Sequence, residues 1–340
     1  MKAMILAAGY GTRLRPLTHS LPKPMVPIGN RPLIGYAVEG FIRYGVNEIV
    51  VNLHHLPETI ERYLTRTYAG QCKFHFSFEP EILGTGGGIR KVRPLLENED
   101  EFFLVNGDTI QFPPYDRLHE ARREKDALAA LTLRHPPQQD RFTAVWFDNG
   151  VITGFAKSGV GEPLMFSGSH LISSRIFKHL PEKDFSGIVD EVYIPLIANK
   201  KETIAAVVDD GPWFDIGTPQ RYIAAARGVL EMTVAGKIPV MNGSRVFRDS
   251  VIHQTATILG NLTRSSVGAR SAIKGDVRDS IIGDDCHISG SSRLQSCIVG
   301  DDVQMSRPIE LRNAIICRDD EAIPRDADYS FEGGLAIAEF

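Results

Sequence analysis

Three hundred and forty residues predict two domains, at the usual ~100–200 residues each. With 38 Lys+Arg against 42 Asp+Glu, a net charge of −4, and 43% hydrophobic residues, the composition is that of a packed globule and disfavours a nucleic-acid coat or a disordered tail protein. Cys72, Cys286, Cys297 and Cys317 form no CxxC pair and have no paired-His spacing, so neither a zinc site nor a disulfide framework is expected and a reducing compartment fits.

The start of the chain, Lys2 followed by Ala3 to Ala8, superficially resembles a signal peptide. Its apolar run ends at Gly9 after about six residues, short of the ~7–15 such a segment needs, and no later run approaches ~18 apolar residues. A cytoplasmic chain without a membrane span is expected. Met4 to Ala8 reads as a strand buried on both faces. A helix pattern over 33–44, a strand over 48–53, a helix over 58–68, a strand over 73–78, a helix over 89–97 and a strand over 102–105 follow. Strands alternating with helices predict βαβ units in a mostly parallel sheet, with ligands at the carboxyl ends of the strands.

Beyond a helix pattern over 219–232 the texture changes. An apolar residue recurs at Ile252, Val267, Ile282, Val299 and Ile316, at intervals of 15, 15, 17 and 17. Steps of six link Val267 to Ile273 and Ile282 to Ile288. Near-hexapeptide steps inside such a period predict a β-helix with three short faces per turn; an ordinary β-sandwich is the alternative. The expected division is 1–238, 239–325 for the coils, and a polar tail over 326–340 ending in an apolar stretch after Gly333-Gly334.

The first strand leads into Gly9-Tyr10-Gly11-Thr12-Arg13-Leu14-Arg15-Pro16-Leu17-Thr18, then Pro22-Lys23-Pro24. A dinucleotide fingerprint fails because Leu14 stands where its third glycine belongs, and a P-loop fails for want of Gly-Lys. Two glycines still allow backbone N–H groups close to an anion, and the segment delivers Arg13, Arg15 and Lys23 with no acid between Gly9 and Lys23. A polyphosphate is the expected ligand, against the plainer reading of a Gly-rich turn with solvated cations.

This string resembles the signature of the sugar-1-phosphate nucleotidyltransferases (NDP-sugar pyrophosphorylases), several of which carry a hexapeptide β-helix after the catalytic domain. The C-terminal repeat resembles the left-handed form of that helix. The resemblance implies an α/β, Rossmann-like (GT-A-like) mixed sheet with helices on both faces, followed by the left-handed parallel β-helix. It further implies that Leu6, Ala7, Ala8 and Gly9 line a base and ribose pocket, that Gly11, Thr12 and Arg13 hold the triphosphate, and that Lys23 reaches the reacting phosphates.

Phe102 to Asp108 is an apolar strand that delivers a carboxylate at its end. Asp108 there either caps the next turn or binds Mg²⁺ beside a polyphosphate loop; the resemblance implies the latter. Trp213-Phe214-Asp215-Ile216-Gly217-Thr218-Pro219 resembles the family's second metal motif and makes Asp215 the partner, although Thr218 alone could start the helix. Glu79-Pro80-Glu81-Ile82-Leu83-Gly84-Thr85 resembles the base-recognition loop, with Glu79, Gly84 and Thr85 as nucleotide contacts. Asn106, Lys157, Ser167 and Gly168 are the implied sugar-phosphate contacts.

Two departures bear on the sugar. Phe155-Ala156-Lys157-Ser158 keeps the lysine but neither Glu nor Pro of a common Phe-x-Glu-Lys-Pro motif, and Phe166-Ser167-Gly168 replaces Asn-Ala-Gly. The second form is similar to the N-acetylmuramate-1-phosphate uridylyltransferase branch, whereas the β-helix is more like the mannose-1-phosphate guanylyltransferase branch. The implied partners are a nucleoside triphosphate, a sugar 1-phosphate and Mg²⁺, with no nucleic acid or membrane, and self-association through the coils. The rival readings are a non-catalytic subunit of the same architecture and an acyltransferase in the β-helix using His253 or His287.

Overall fold

In the computed structural model, which describes residues 1–137, 142–155, 163–325 and 329–340, nine strands form the sheet of the N-terminal half. In chain order they are β1 (Lys2–Leu6), β2 (Glu48–Leu53), β3 (Lys73–Phe78), β4 (Glu101–Asn106) and β5 (Ala129–Arg134). They continue with β6 (Ala144–Asp148), β7 (Val151–Phe155), β8 (Leu164–Ser173) and β9 (Ile204–Val208). The order across the sheet is β3-β2-β1-β4-β8-β5-β9-β7-β6. β3, β2, β1 and β4 run parallel; β8 is antiparallel to both β4 and β5. The sheet is thus mixed, parallel where the alternating strand and helix patterns predict it.

From β1 the chain runs to β2 and β3 on one side and returns to β4 on the other. That reversal is the place where open α/β sheets leave a crevice at the strand ends. Registers of Leu6 with Asn52 and with Asn106 bring three carboxyl ends level. Beneath them Met4, Val50 and Leu104, each 0% exposed, anchor the core.

Two boundaries differ from expectation. The first strand ends at Leu6 rather than Ala8, because the Ala7 N–H leaves the ladder to donate to the Asn52 side chain at 2.8 Å. The expected helix over 89–97 begins earlier, as α1 (Gly84–Lys91), and is followed by a separate turn, Arg93–Leu96. Pro94 supplies no N–H to continue the helix. The glycines belong to its first turn: a Cβ on Gly87 would stand 2.3 Å from the Asp184 carbonyl oxygen, and one on Gly86 2.7 Å from Ser186 Oγ.

In the C-terminal half, three parallel sheets wind around one core, with Ile252, Val267, Ile282, Val299 and Ile316 paired in a single column. The second face stacks Ile258, Ile273, Ile288 and Met305, and the third Leu262, Val277, Leu294 and Leu311. A hydroxyl ladder runs alongside: Ser265 N–H donates to Ser250 Oγ, Ser280 N–H to Ser265 Oγ and Cys297 N–H to Ser280 Oγ. Each coil thereby satisfies the next one's backbone inside an apolar core.

Both ends of the stack are closed. Ser244–Phe247 pairs antiparallel with Ser250–His253. The segment after Pro324, polar in sequence, folds as a hairpin of Ser330–Glu332 and Leu335–Glu339 on Ala314–Arg318. Gly333 and Gly334, at φ 59° and 81°, make the tight turn that only such residues allow. Leu335 and Ile337 enter the core, so the hairpin covers an edge that would otherwise invite pairing with another chain.

By its contacts the described chain divides into two compact units. One is Met1–Gly9 with Ile34–Trp213, and the other Tyr10–Leu33 with Phe214–Phe340. Residues 10–33 therefore belong to the unit that contains the coils.

Candidate active site

In the first unit, a polar network stands at the strand ends. Asn52, 3% exposed at the end of an apolar strand, accepts the Ala7 N–H and donates Nδ2 to Glu79 Oε1 at 2.8 Å. Glu79 is 0% exposed; its second oxygen accepts the Leu83 N–H at 2.9 Å, and its carbonyl accepts from His54 Nδ1 at 2.7 Å. Gly88 makes room, since a Cβ there would lie 3.1 Å from Glu79 Oε1. The Glu79 carboxylate is thus engaged as the hinge pin between the end of β1 and the loop before α1, rather than held open toward solvent. Asn52 was not among the residues expected from sequence, although a lone amide closing Glu48–Leu53 is the signal that marks it.

Gly84, at φ 71°, opens α1. Gly86 N–H donates to the Ser186 carbonyl at 2.8 Å, and Ser186 N–H to that of Leu83 at 3.0 Å. Thr85 Oγ1 accepts the Ile188 N–H at 2.8 Å. The Thr85 hydroxyl thereby fixes the neighbouring loop.

Gly107 N–H donates to the Leu6 carbonyl at 2.8 Å, which ties the turn after β4 to β1 and leaves Asp108, half-buried, at the turn's tip. Opposite Asn106, β8 carries an irregularity in register between Phe166 and His170. Such bulges redirect side chains near sites. Here Gly168 takes φ 95°, and a Cβ on it would lie 2.7 Å from Asn106 Nδ2. Ser167 donates its hydroxyl to the Thr132 carbonyl at 3.0 Å and accepts Trp213 Nε1–H on its own carbonyl at 2.9 Å. Lys157 lies outside the described residues.

Just past the bulge, His170 is buried with Nδ1 3.0 Å from the Tyr193 hydroxyl, and burial pushes its pKa down to about 3. The unfolded imidazole titrates near ~6.5. Between about 6.5 and 3 the unfolded chain binds the extra proton, so this group removes stability as pH falls through that window, by roughly 1 kcal/mol per unit. His170→Gln is expected to flatten the loss seen in urea unfolding between about pH 7 and pH 5; identical pH dependence in the two proteins would contradict it.

In the second unit, Gly11 holds φ 65°. Its carbonyl accepts Thr18 Oγ1–H at 2.8 Å and Leu14 N–H at 3.0 Å. A Cβ on Gly11 would lie 2.9 Å from Lys23 Cβ, so the glycine lets Lys23, 7% exposed, pass directly beneath the loop. Thr12, Arg13 and Arg15 are exposed. Thr218 Oγ1 caps the helix Pro219–Val234 by accepting the Arg221 N–H at 3.3 Å, so Asp215 is not needed for that task. Its carboxylate pairs instead with the Arg221 guanidinium. A Cβ on Gly217 would lie 2.9 Å from Asp215 Oδ2 and 3.2 Å from Arg13 Nη1; the glycine therefore lets the Asp215 carboxylate and the Arg13 guanidinium flank one point of the chain. Arg221 is a partner that the sequence did not mark. His253, a rival candidate, has Nδ1 on Thr255 Oγ1 at 2.8 Å.

A model of the nucleotidyl transferase family matches residues 2–232. The chain belongs to that family. It is a sugar-1-phosphate nucleotidyltransferase, and a GlmU-like C-terminal hexapeptide model matches residues 247–328. A UTP--glucose-1-phosphate uridylyltransferase of Synechocystis is 30% identical, covering 85% of this chain and 80% of its own. A mannose-1-phosphate guanylyltransferase catalytic subunit beta of Danio rerio is 28% identical over 94% and 91%. The crystal structure of HddC from Yersinia pseudotuberculosis superposes with a TM-score of 0.56 at 25% identity, covering 67% of the transferase and 99% of HddC. Among the described residues of the transferase, no helix is long and apolar enough to cross a membrane.

The donors available to a divalent ion are carboxylate oxygens, the hard ligands that Mg²⁺ takes. Among the described residues no group of three or more His, Cys, Asp or Glu side chains is arranged to hold a metal ion. Mg²⁺ in general keeps several waters and binds through one or two carboxylates together with substrate phosphates.

Proposed function

We propose that the transferase condenses GTP or UTP with a hexose 1-phosphate to give the nucleoside diphosphate sugar and pyrophosphate. The observation that carries this reading is the loop in which Gly11 admits Lys23 beneath it and Arg13 stands beside Gly217 and the Asp215 carboxylate, a segment that from Gly9 to Lys23 is cationic and contains no acid. Guanylyl transfer to mannose 1-phosphate is the first pair to test, because the Danio rerio relative that bears that activity in its name aligns across both halves. Phe166-Ser167-Gly168 favours a uridylyltransferase acting on an N-acetylmuramate-type sugar as the second.

A phosphate oxygen of the sugar 1-phosphate attacks the α-phosphorus in line. The new P–O bond forms as the bond to the β-phosphate oxygen breaks, and pyrophosphate leaves with that electron pair. The nucleophile is already an anion, so no general base is needed; the obstacle is repulsion between polyanions. Positioning and positive charge are what the protein must supply. Gly11, Thr12 and Arg13 take the triphosphate and Lys23 the phosphates at the reacting centre. The backbones of Leu6, Ala7, Ala8, Gly84 and Thr85 frame base and ribose, with Glu79 setting their geometry. A Cβ at Gly9 would meet nothing within 4 Å, so no protein neighbour accounts for the glycine there. Asn106, Lys157, Ser167 and Gly168 serve the sugar phosphate. Mg²⁺, held by Asp108 and Asp215, would neutralise phosphate charge and polarise the α-phosphate.

The corresponding domain scheme is 1–238 for catalysis and 239–325 for a left-handed coil that also mediates self-association, in a cytoplasmic protein. Pyrophosphate release over a panel of GTP, UTP and dTTP with mannose, glucose and N-acetylmuramate 1-phosphates tests the reading. One pair is expected to exceed the rest by at least about ten-fold, a difference of little more than one good hydrogen bond; no release with any pair would overturn it.

A further inference from the structure

Residues 10–32 contain no helix or strand longer than four residues: Thr12–Leu14, Leu17–Ser20, Lys23–Met25, Pro27–Ile28 and Arg31–Pro32. Elements this short do not hold their own shape in water. Their order has to come from what they pack on, and in the second unit that is the helix Pro219–Val234, whose Tyr222 hydroxyl donates to the Pro27 carbonyl at 2.6 Å, together with the coil domain.

Four residues of this segment, Leu17, His19, Asn30 and Arg31, connect it to the coils. Pro27 and Ile28 pair with Pro32 and Arg31, and the hairpin tip Gly29-Asn30 takes φ 57° and 64°. From that tip Asn30 Nδ2 donates to the Val267 carbonyl at 2.9 Å and to Ser244 Oγ at 3.1 Å, so it engages both the closing strand and the second coil. Arg31, 4% exposed, donates Nη2 to the Pro239 carbonyl at 2.9 Å. At the other end of the stack, His19 Nε2 lies 3.2 Å from the hydroxyl of Tyr329, which leads into the C-terminal hairpin, with the rings edge-on. Beside it, Leu17 Cδ1 would stand 3.3 Å from a Cβ on Gly300, so a coil glycine lets the loop settle onto the stack.

We infer that the coil domain helps to mould the cationic loop, with Asn30 and Tyr329 as positioning residues that set its affinity for the nucleoside triphosphate. The inference rests on the functional reading of Arg13 and Lys23 and adds to it a role for the C-terminal half. Neither Asn30 nor Tyr329 touches substrate; each acts by restricting the loop that does. A cradle that must otherwise be ordered on binding loses affinity for the ligand it orders around, while contacts to the other substrate are unaffected.

The test uses the full-length protein with Mg²⁺. Asn30→Gly keeps the left-handed backbone that glycine accepts and deletes both side-chain bonds; Tyr329→Phe deletes one hydroxyl. Each is expected to raise the KM for the triphosphate, and its Kd by titration calorimetry with GTP and UTP in turn, about three- to ten-fold. The KM for the sugar phosphate is expected to stay within about two-fold. Leu294→Ala, which empties an inward position on a coil face, is the stability control. It is expected to lower Tm and leave both constants unchanged. Wild-type triphosphate affinity in both loop-contact variants would overturn the inference, as would an equal rise in Leu294→Ala. A wild-type protein that binds triphosphate without releasing pyrophosphate would sink the functional reading alone, because the Kd values still decide the positioning role.

Discussion

Lys23→Ala is expected to lower kcat by about two to three orders of magnitude, the range seen when one preorganised group facing transition-state charge is removed. The side chain is 7% exposed and its Cβ passes directly under Gly11. Charge held in a partly dehydrated position acts on a phosphoryl group far more strongly than a solvated lysine could. Alanine also removes buried volume, so a loss of activity by itself would not separate charge from packing. Lys23→Met keeps the chain's bulk and only removes the ammonium; it is expected to be as slow as Lys23→Ala while melting within a few degrees of wild type. The check is kcat from steady-state pyrophosphate release beside a thermal melt. Near-wild-type turnover in Lys23→Met would mean that the lysine only supports the loop.

Asp108→Asn should have the next largest effect, a fall in kcat of about two orders of magnitude or more, because the amide keeps the shape of the turn and loses the charge that attracts a divalent ion. Gly107 already ties this turn to the Leu6 carbonyl, so the substitution changes chemistry with little freedom to change geometry. Two readouts apply: turnover, and binding of Mn²⁺ followed by its electron paramagnetic resonance. The variant is expected to need several-fold more metal for half-maximal rate and to bind Mn²⁺ more weakly. Unchanged metal dependence would leave Asp108 as a turn-capping residue. Asp215→Asn is expected to behave in the same sense, and its Arg221 partner makes a useful contrast, since that ion pair engages the carboxylate through Oδ2.

What could be read from the chain follows the range of the physics involved. The column of Ile252, Val267, Ile282, Val299 and Ile316 was legible because each coil repeats the same short step, and the pairing register reproduces that spacing. Strands over 48–53 and 73–78 and the helix over 33–44 were legible for the same reason, since periodicity is a local property. The Gly84–Gly88 stretch was misread as a loop before a helix. Glycine argues against helix by local propensity, and only the backbone of Asp184 and Ser186, a hundred residues away in sequence by order of magnitude, explains why no larger side chain fits in that first turn.

The candidate site divides along the same line. Gly9 to Lys23 stands out because its cations and glycines are contiguous, and the strand-end position of Asp108 follows from one apolar run. Asn52 left only the faint signal of a lone amide near the end of an apolar run, and Tyr329 none, because each matters through a residue distant in the chain, Glu79 and His19 respectively; Arg221 is only six residues from Asp215, but nothing in the local pattern marks the pair. Burial was equally hidden. Glu79 looks in sequence like any acidic residue beside a turn, and the fold places it at 0% exposure with both oxygens engaged.

By itself, the sequence determined the α/β half, the coiled repeat and the identity of the cationic loop, since these depend on neighbours within a few residues. Only the tertiary structure decided that this loop belongs with the coil unit, that the apolar tail closes the stack as a hairpin, and that Asn30 and Tyr329 tie residues 10–33 to the two ends of the stack. Short, irregular segments carry too few internal bonds to order themselves, so their conformation is set by the surface they settle on, and that surface is assembled from residues far along the chain.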